Sequence, residues 1–180
     1  GKNQEIKNME KKRDIIFRER AKILSKTQEQ IEQQHDTISL LTFYLADEMY
    51  GLEAEFVERV IALKRYADIP CTPDYILGMI NVLGEILAVI DIKKLFKLPD
   101  KGITNLNRVI ILHNGNYKFG ILCDEVIGRE GIPLQEIQKS LPNIAGMKST
   151  LVRGVTRDRL IVINTQELFK DKRIIIDDDI

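Results

Sequence analysis

One pattern occurs twice in this 180-residue chain and narrows the folds open to it. Val89-Ile90-Asp91-x-x-x-Leu95-Phe96 returns as Val162-Ile163-Asn164-x-x-x-Leu168-Phe169. Each copy reads as a buried strand running into a short helix. The Asp or Asn stands at the N-cap, where its side-chain oxygen accepts from the open N–H groups of the first turn. In the second copy Glu167 holds the third helical position, the spacing of a capping box. Upstream, Tyr50-Gly51-Leu52 and then Val57 are echoed by Phe119-Gly120-Ile121 and then Val126. Two echoes in the same order point to duplication, with two small modules of one design set side by side.

Between the echoes the period is that of strands. Ile38 to Ala46 and Met49 to Leu52 form a first hairpin turned at Asp47-Glu48, and Ala54 to Arg65 suits a short helix leading into a strand. Ile69-Pro70-Cys71-Thr72-Pro73 is extended or turning, because each Pro restricts itself and its predecessor. Gly78 to Leu83 and Ile86 to Asp91 make a hairpin around Gly84-Glu85. Arg108 to His113 and Tyr117 to Cys123 flank Asn114-Gly115-Asn116, whose Asn-Gly tolerates the positive φ of a tight turn. Val126 to Arg129, Leu151 to Thr156 and Leu160 to Ile163 complete the strands, with loop or short helix over Leu134 to Ser149. Ile174 to Ile176 reads as a last edge strand before the acidic tail Asp177, Asp178 and Asp179. About five short strands per module suit a small closed barrel better than an open sheet.

The first 36 residues are of another kind. From Gln4 to Gln33 there is no Gly or Pro, and Ile6, Met9, Ile16, Phe17, Ile23, Leu24 and Ile31 make one apolar stripe on a charged helix. This helix is expected to fold back onto the barrels through Ile16, Phe17, Ile23 and Leu24, so that removing the residues before Asp36 lowers the melting temperature. The chain has no net charge, so it lacks the basic footprint of a nucleic-acid binder. It has no apolar run of about 18 residues and its charged N-terminus argues against a secretory leader, so a cytoplasmic location without direct membrane insertion is expected. Cys71 and Cys123 read as two buried free thiols.

Catalytic chemistry is not found. No phosphate-binding loop or dinucleotide fingerprint occurs. His35 and His113 have no ligand partners at metal spacing, and His113 reads as a partly exposed structural residue. Asp47-Glu48 and Asp124-Glu125 are explained by turn polarity and strand-end solvation rather than by acid/base work. Ser39, Ser140 and Ser149 lack a nucleophile-elbow context. No catalytic residue, cofactor or metal ligand is assigned.

Leu41-Thr42-Phe43-Tyr44-Leu45, Tyr50-Gly51-Leu52, Ile69-Pro70, Pro73, Gly78-Met79-Ile80-Asn81-Val82-Leu83-Gly84 and Val89-Ile90-Asp91-Ile92 belong to one longer pattern. Phe119-Gly120-Ile121, Asp124, Val126 and the Gly154 strand continue it. In order and spacing this pattern, from Leu40 to Phe169, resembles the CheW-like coupling proteins of bacterial chemotaxis. The resemblance implies a mainly β fold of two SH3-like five-stranded barrels around a shared apolar centre, over residues 37–173. The N-terminal amphipathic helix (1–36) and the tail (174–180) lie outside that domain. It also implies a scaffold, not an enzyme, that links the cytoplasmic tip of a chemoreceptor to the regulatory domain of a CheA-type histidine kinase. Receptor helices are expected in the groove between the barrels and kinase contacts at barrel ends.

By position in the matching motif, the receptor-binding candidates are Val57, Arg59, Asn81, Leu83, Gly84 and Ile86, all assigned to the first barrel. The kinase-binding candidates are Val126, Ile127 and Gly128 of the second. Two positions depart from the family pattern. The family turn reads Asn-Leu-Arg-Gly where this chain has Asn81-Val82-Leu83-Gly84, and many members carry an acid at the position of Arg59. If those positions form an ion pair in the family, both partners have changed together here. Separation of Arg59 and Leu83 by more than about 10 Å would remove the basis for coupling. Two alternatives stand beside the adaptor: a regulatory CheW-like fragment of a kinase or fused coupling protein, and, in another class, a small-barrel nucleic-acid binder. The latter needs a basic face with exposed aromatics, and only 6% of residues here are aromatic.

Overall fold

The computed structural model describes residues 1–139 and 146–175, the side chains of 27–35 excepted. Two compact units are present, Gly1–Thr37 and Ile38–Ile180. The first is a single helix, α1 (Lys2–His35), as its unbroken run of helix formers predicts. Ile6, Met9, Ile16, Phe17, Ile23 and Leu24 are all exposed, at 51% to 69%. Arg13 and Arg20 fall on the same face at three- and four-residue spacing, so the stripe is split by charge. The Ile31 and His35 side chains, Ser140, Ile176 and the Asp177–Asp179 tail lie outside the described residues.

Among the described residues the second unit has ten strands. The first five are β1 (Thr37–Leu45), β2 (Glu48–Glu53), β3 (Val57–Ala62), β4 (Ile76–Val82) and β5 (Glu85–Asp91), followed by the one-turn helix α2 (Ile92–Leu95). The next five are β6 (Arg108–His113), β7 (Lys118–Cys123), β8 (Glu125–Pro133), β9 (Val152–Val155) and β10 (Ile161–Ile163), followed by α3 (Thr165–Leu168). Two five-stranded sheets result, ordered β8-β1-β2-β10-β9 and β3-β6-β7-β5-β4. They are the two barrels expected, but each is not one sequence module. The first hairpin of each copy has crossed to complete the other copy's barrel.

Strand pairing shows the exchange directly. In one barrel Val162 of β10 lies parallel to Gly51 of β2, and in the other Val89 of β5 lies parallel to Gly120 of β7. The Gly-bearing strand of one copy therefore pairs with the Val-Ile strand of the other, in the same register both times. The equivalence continues outward, with Gly154 opposite Val162 and Gly78 opposite Val89. Even the short closing bridges match, Ala67 with Met79 and Gln138 with Val155. The six receptor-binding candidates consequently sit together in the barrel β3–β7, and Val126, Ile127 and Gly128 in the barrel that holds both chain ends of the domain.

The period-two alternation of a strand explains the Val-Ile repeat. Val89 packs inside its own barrel with Ile80, Leu87, Val109, Ile111 and Leu122, and Val162 inside the other with Leu40, Ile132 and Leu160. The next residues, Ile90 and Ile163, point the opposite way, into one large cluster fed by both barrels, which includes Phe43, Tyr50, Ile110, Ile121, Phe96 and Phe169. Fully burying one such side chain is worth about 1.5–3 kcal/mol, so this shared seam dominates the cohesion between the barrels.

Local details depart from expectation in four places. Asp91 caps α2, accepting from Lys94 N–H at 3.4 Å, but Asn164 makes no side-chain cap bond. The capping box does not form, because Asn164 N–H already donates to Leu151 O and Glu167 pairs with Lys170. Ile174 and Ile175 form a turn on Asp171 O rather than an edge strand. Cys71 is exposed, at φ +60 in the Pro-flanked turn, whereas Cys123 is buried and its thiol is pushed up by desolvation to about 12.

Asp91 is 4% exposed, and burial raises its carboxyl above the usual range. A raised folded pKa favours the fold only below the unfolded value of about 3.9, and that contribution is lost as pH rises through the folded value. Asp91→Asn, the residue found in the second copy, keeps the acceptor and removes the buried charge. Its stability above pH 5 should rise by roughly 1 kcal/mol or less, with no gain below about pH 3. Urea unfolding across this range checks the expectation, and a uniform loss at every pH would contradict it.

Candidate partner-binding site

The β4–β5 hairpin closes through only two residues, Leu83 and Gly84, between the paired Val82 and Glu85. Both have positive φ, +51 and +87, the signature of a type I′ turn. The turn thus sits one residue earlier than expected. Gly84 suits this conformation, but Leu83 does not, since a left-handed non-Gly residue costs on the order of 1 kcal/mol or more. Asn81 holds the strained turn in place by accepting from Gly84 N–H at 2.9 Å. The outcome is a Leu side chain 85% exposed, with Ile86, at 64%, beside it.

Arg59, Asn81 and Leu83 line one groove of about 460 Å³ where β3 approaches β4, together with Ile61, Lys64 and Arg65. Asn81 and Ile86 also line the adjoining depression beside Tyr66 and Met79. Arg59 and Leu83 therefore line the same groove. Val57 is placed differently, half-buried against the shared seam. The groove belongs to one barrel rather than to the space between two.

The second candidate group lies on β8, which is the edge of its sheet as β3 is of the other. Val126 is half-buried against the seam, Ile127 is 50% exposed, and Gly128 O accepts from Thr42 Oγ1 at 3.1 Å. By the register of the duplication Val126, Ile127 and Gly128 match Val57, Glu58 and Arg59. The β3 part of the first group and the β8 group are thus equivalent strand starts with different side chains, whereas Asn81, Leu83, Gly84 and Ile86 belong to the β4–β5 hairpin.

A polar clamp, unread in the sequence, fixes the two barrels behind these surfaces. Lys93 of α2 is buried, and its Nζ lies 2.6 Å from Asp124 and 3.4 Å from Asp100. Asp124 also accepts from Ala46 N–H in the β1–β2 turn at 2.7 Å, and Asn107 Nδ2 donates to it and to Cys123 O. Burial pulls the Lys93 ammonium down, but the two carboxylates outweigh it and hold the group above its ordinary value. Asp124 is therefore a junction and not merely a solvated strand end. Within the other barrel, Thr165 Oγ1 at the start of α3 accepts from Glu53 N–H at the end of β2.

The remaining polar residues are dispersed. Asp47 pairs with Lys101, Glu48 accepts from Tyr50 Oη, and His113 is exposed at the end of β6. Among the described residues no group of three or more His, Cys, Asp or Glu is placed to hold a metal ion. No described helix is long and apolar enough to cross a membrane.

Comparison with known proteins agrees with this architecture. The family model for the CheW-like domain matches residues 39–173, leaving all of α1 outside. The chain is 28% identical over 146 residues to the chemotaxis protein CheW of Treponema pallidum, covering 77% of this chain and 86% of that one. It is 23% identical over 142 residues to the chemotaxis protein CheW of Helicobacter pylori, again covering 77% and 86%. Among solved structures it is similar to the scaffolding protein TtCheW from Thermoanaerobacter tengcongensis. That likeness has a TM-score of 0.66 and 32% identity, over 76% of this chain and 90% of that chain.

Proposed function

We propose that this chain, which belongs to the CheW-like domain family, joins a chemoreceptor tip to the regulatory domain of a CheA-type histidine kinase. It is a coupling scaffold of chemosensory signalling, and its work is to hold two partners at a fixed spacing rather than to transform either. The observation that carries this reading is the strained, exposed Leu83 beside Ile86. Backbone strain that presents exposed apolar side chains side by side is what a docking anchor requires. The receptor surface is the β3–β4 groove with Arg59, Asn81, Leu83, Gly84 and Ile86, bounded by Val57. The kinase surface is the β8 edge at Val126, Ile127 and Gly128. Adaptor action needs both surfaces kept in one orientation, which the apolar seam and the Lys93–Asp124 clamp supply.

Paired variants test the assignment. Leu83→Asn relieves the left-handed strain, since Asn adopts that conformation more readily, so it should stabilise the fold by about 1 kcal/mol. The same change should weaken receptor-tip binding about tenfold, within the range for losing a buried anchor, and leave the kinase domain's affinity unchanged. Ile127→Ser should do the reverse. Isothermal titration with each partner reads both effects, and a variant that weakens both partners equally would remove the two-surface assignment.

A further inference from the structure

Resting on that reading of the β3–β4 groove, we propose that its occupant is an amphipathic helix whose apolar row is flanked by carboxylates. Among the described residues three cations, Arg59, Lys64 and Arg65, line the groove and no carboxylate does. Arg59 lies 4.0 Å from Glu58, while Lys64 and Arg65 have no acidic partner among the described residues. The carboxylates beside them are already engaged, since Lys118 holds both Glu58 and Glu85 at 2.9 Å. Lys118 lowers the Glu58 carboxyl and is itself raised by the pair. The groove thus presents an apolar floor under an unbalanced positive rim, in a chain whose total charge is zero.

A helix fits this surface better than an added strand. The outer edge of β4 is closed at Met79 by two backbone hydrogen bonds with Ala67, of 2.8 and 2.9 Å, so main-chain pairing is not on offer there. What remains is side-chain recognition, which a helix with its own backbone satisfied can provide. Leu83, Ile86 and Tyr66, all exposed, supply the anchors. The cations then select, by charge, which apolar helix docks and in which register.

The test uses the whole chain and two labelled, stapled helical peptides with the same apolar row, one flanked by Glu and the other by Lys. Fluorescence polarisation at low salt should show the Glu peptide bound at least tenfold more tightly, roughly what three rim charges can give. The preference should shrink at about 0.5 M salt, where screening is strong. The triple variant Arg59→Glu, Lys64→Glu, Arg65→Glu should invert it. Should that variant fail to fold, Lys64→Glu and Arg65→Glu singly, at exposed positions, should each reduce it. Equal affinities, no binding of either peptide, or a preference that survives charge reversal overturns the proposal. Receptor tips measured in parallel separate the two claims. Tips that bind while the peptides are not told apart would leave the adaptor reading standing, and tips that do not bind would remove that reading itself.

Discussion

Asp124→Ala is expected to destabilise the domain by about 3–5 kcal/mol, the cost of stranding a buried charge. Lys93, whose side chain is 2% exposed, would keep only the longer contact to Asp100. Ala46 N–H, in a turn residue already at φ +55, would lose its acceptor. Removing the charge from both ends, as in Lys93→Met with Asp124→Asn, should recover much of the loss, because the Asn still accepts from Ala46. The pH dependence follows from two opposite shifts. Lys93, held high, stabilises fully below its ordinary value of about 10.4, and that contribution is lost as pH rises through the folded value. Asp100 is held low by Gly102 N–H and by Lys93, so its contribution is present above about 3.9 and lost as pH falls through the lower folded value. Urea unfolding from acid to alkaline pH measures both limbs. A loss under about 1 kcal/mol for Asp124→Ala would mean that the clamp is ornamental and the apolar seam alone joins the barrels.

Gly78→Ala should be nearly as damaging, at about 3 kcal/mol. A Cβ there would overlap Ala67 O, a backbone atom that cannot swing aside, and φ is +150. The collision would break the Ala67–Met79 bridge that seals the β4 edge beside the docking groove. Gly154 meets Gln138 O in the same way at the equivalent place in the other barrel. Gly84→Ala is the control. It has positive φ but nothing within 4 Å, so it should cost only about 1 kcal/mol. Equal losses at Gly78 and Gly84 would show that backbone conformation, and not the close bridge, is what matters.

Most of the strands were legible because their signals are local. Asn114-Gly115 marks its hairpin, and Asn114 Oδ1 accepts from Asn116 and Tyr117 N–H as such a turn requires. The cap at Asp91 and the duplication were legible for the same reason. The exchange of hairpins was not, since the decisive pairings join Gly51 to Val162 and Val89 to Gly120, and parallel pairing leaves no turn to announce it. The only trace is that Gly faces Val in both barrels. Leu83 was legible as a family departure but not as a strained one, because Leu carries no preference for positive φ. Lys93 left no signal at all: a Lys in a short helix ordinarily reads as solvated, and only the folded chain brings Asp124 to it.

The central claim is that one folded chain bridges two partners. Receptor-tip helices fixed to a surface, a CheA-type regulatory domain in solution, and this protein added at rising concentration make the most direct measurement. The account predicts that the regulatory domain is retained only when the protein is present, that retention rises and then falls as excess protein occupies each partner separately, and that Leu83→Asn and Ile127→Ser each abolish it. Retention that does not depend on the protein, or a folded protein that binds neither partner, would contradict it.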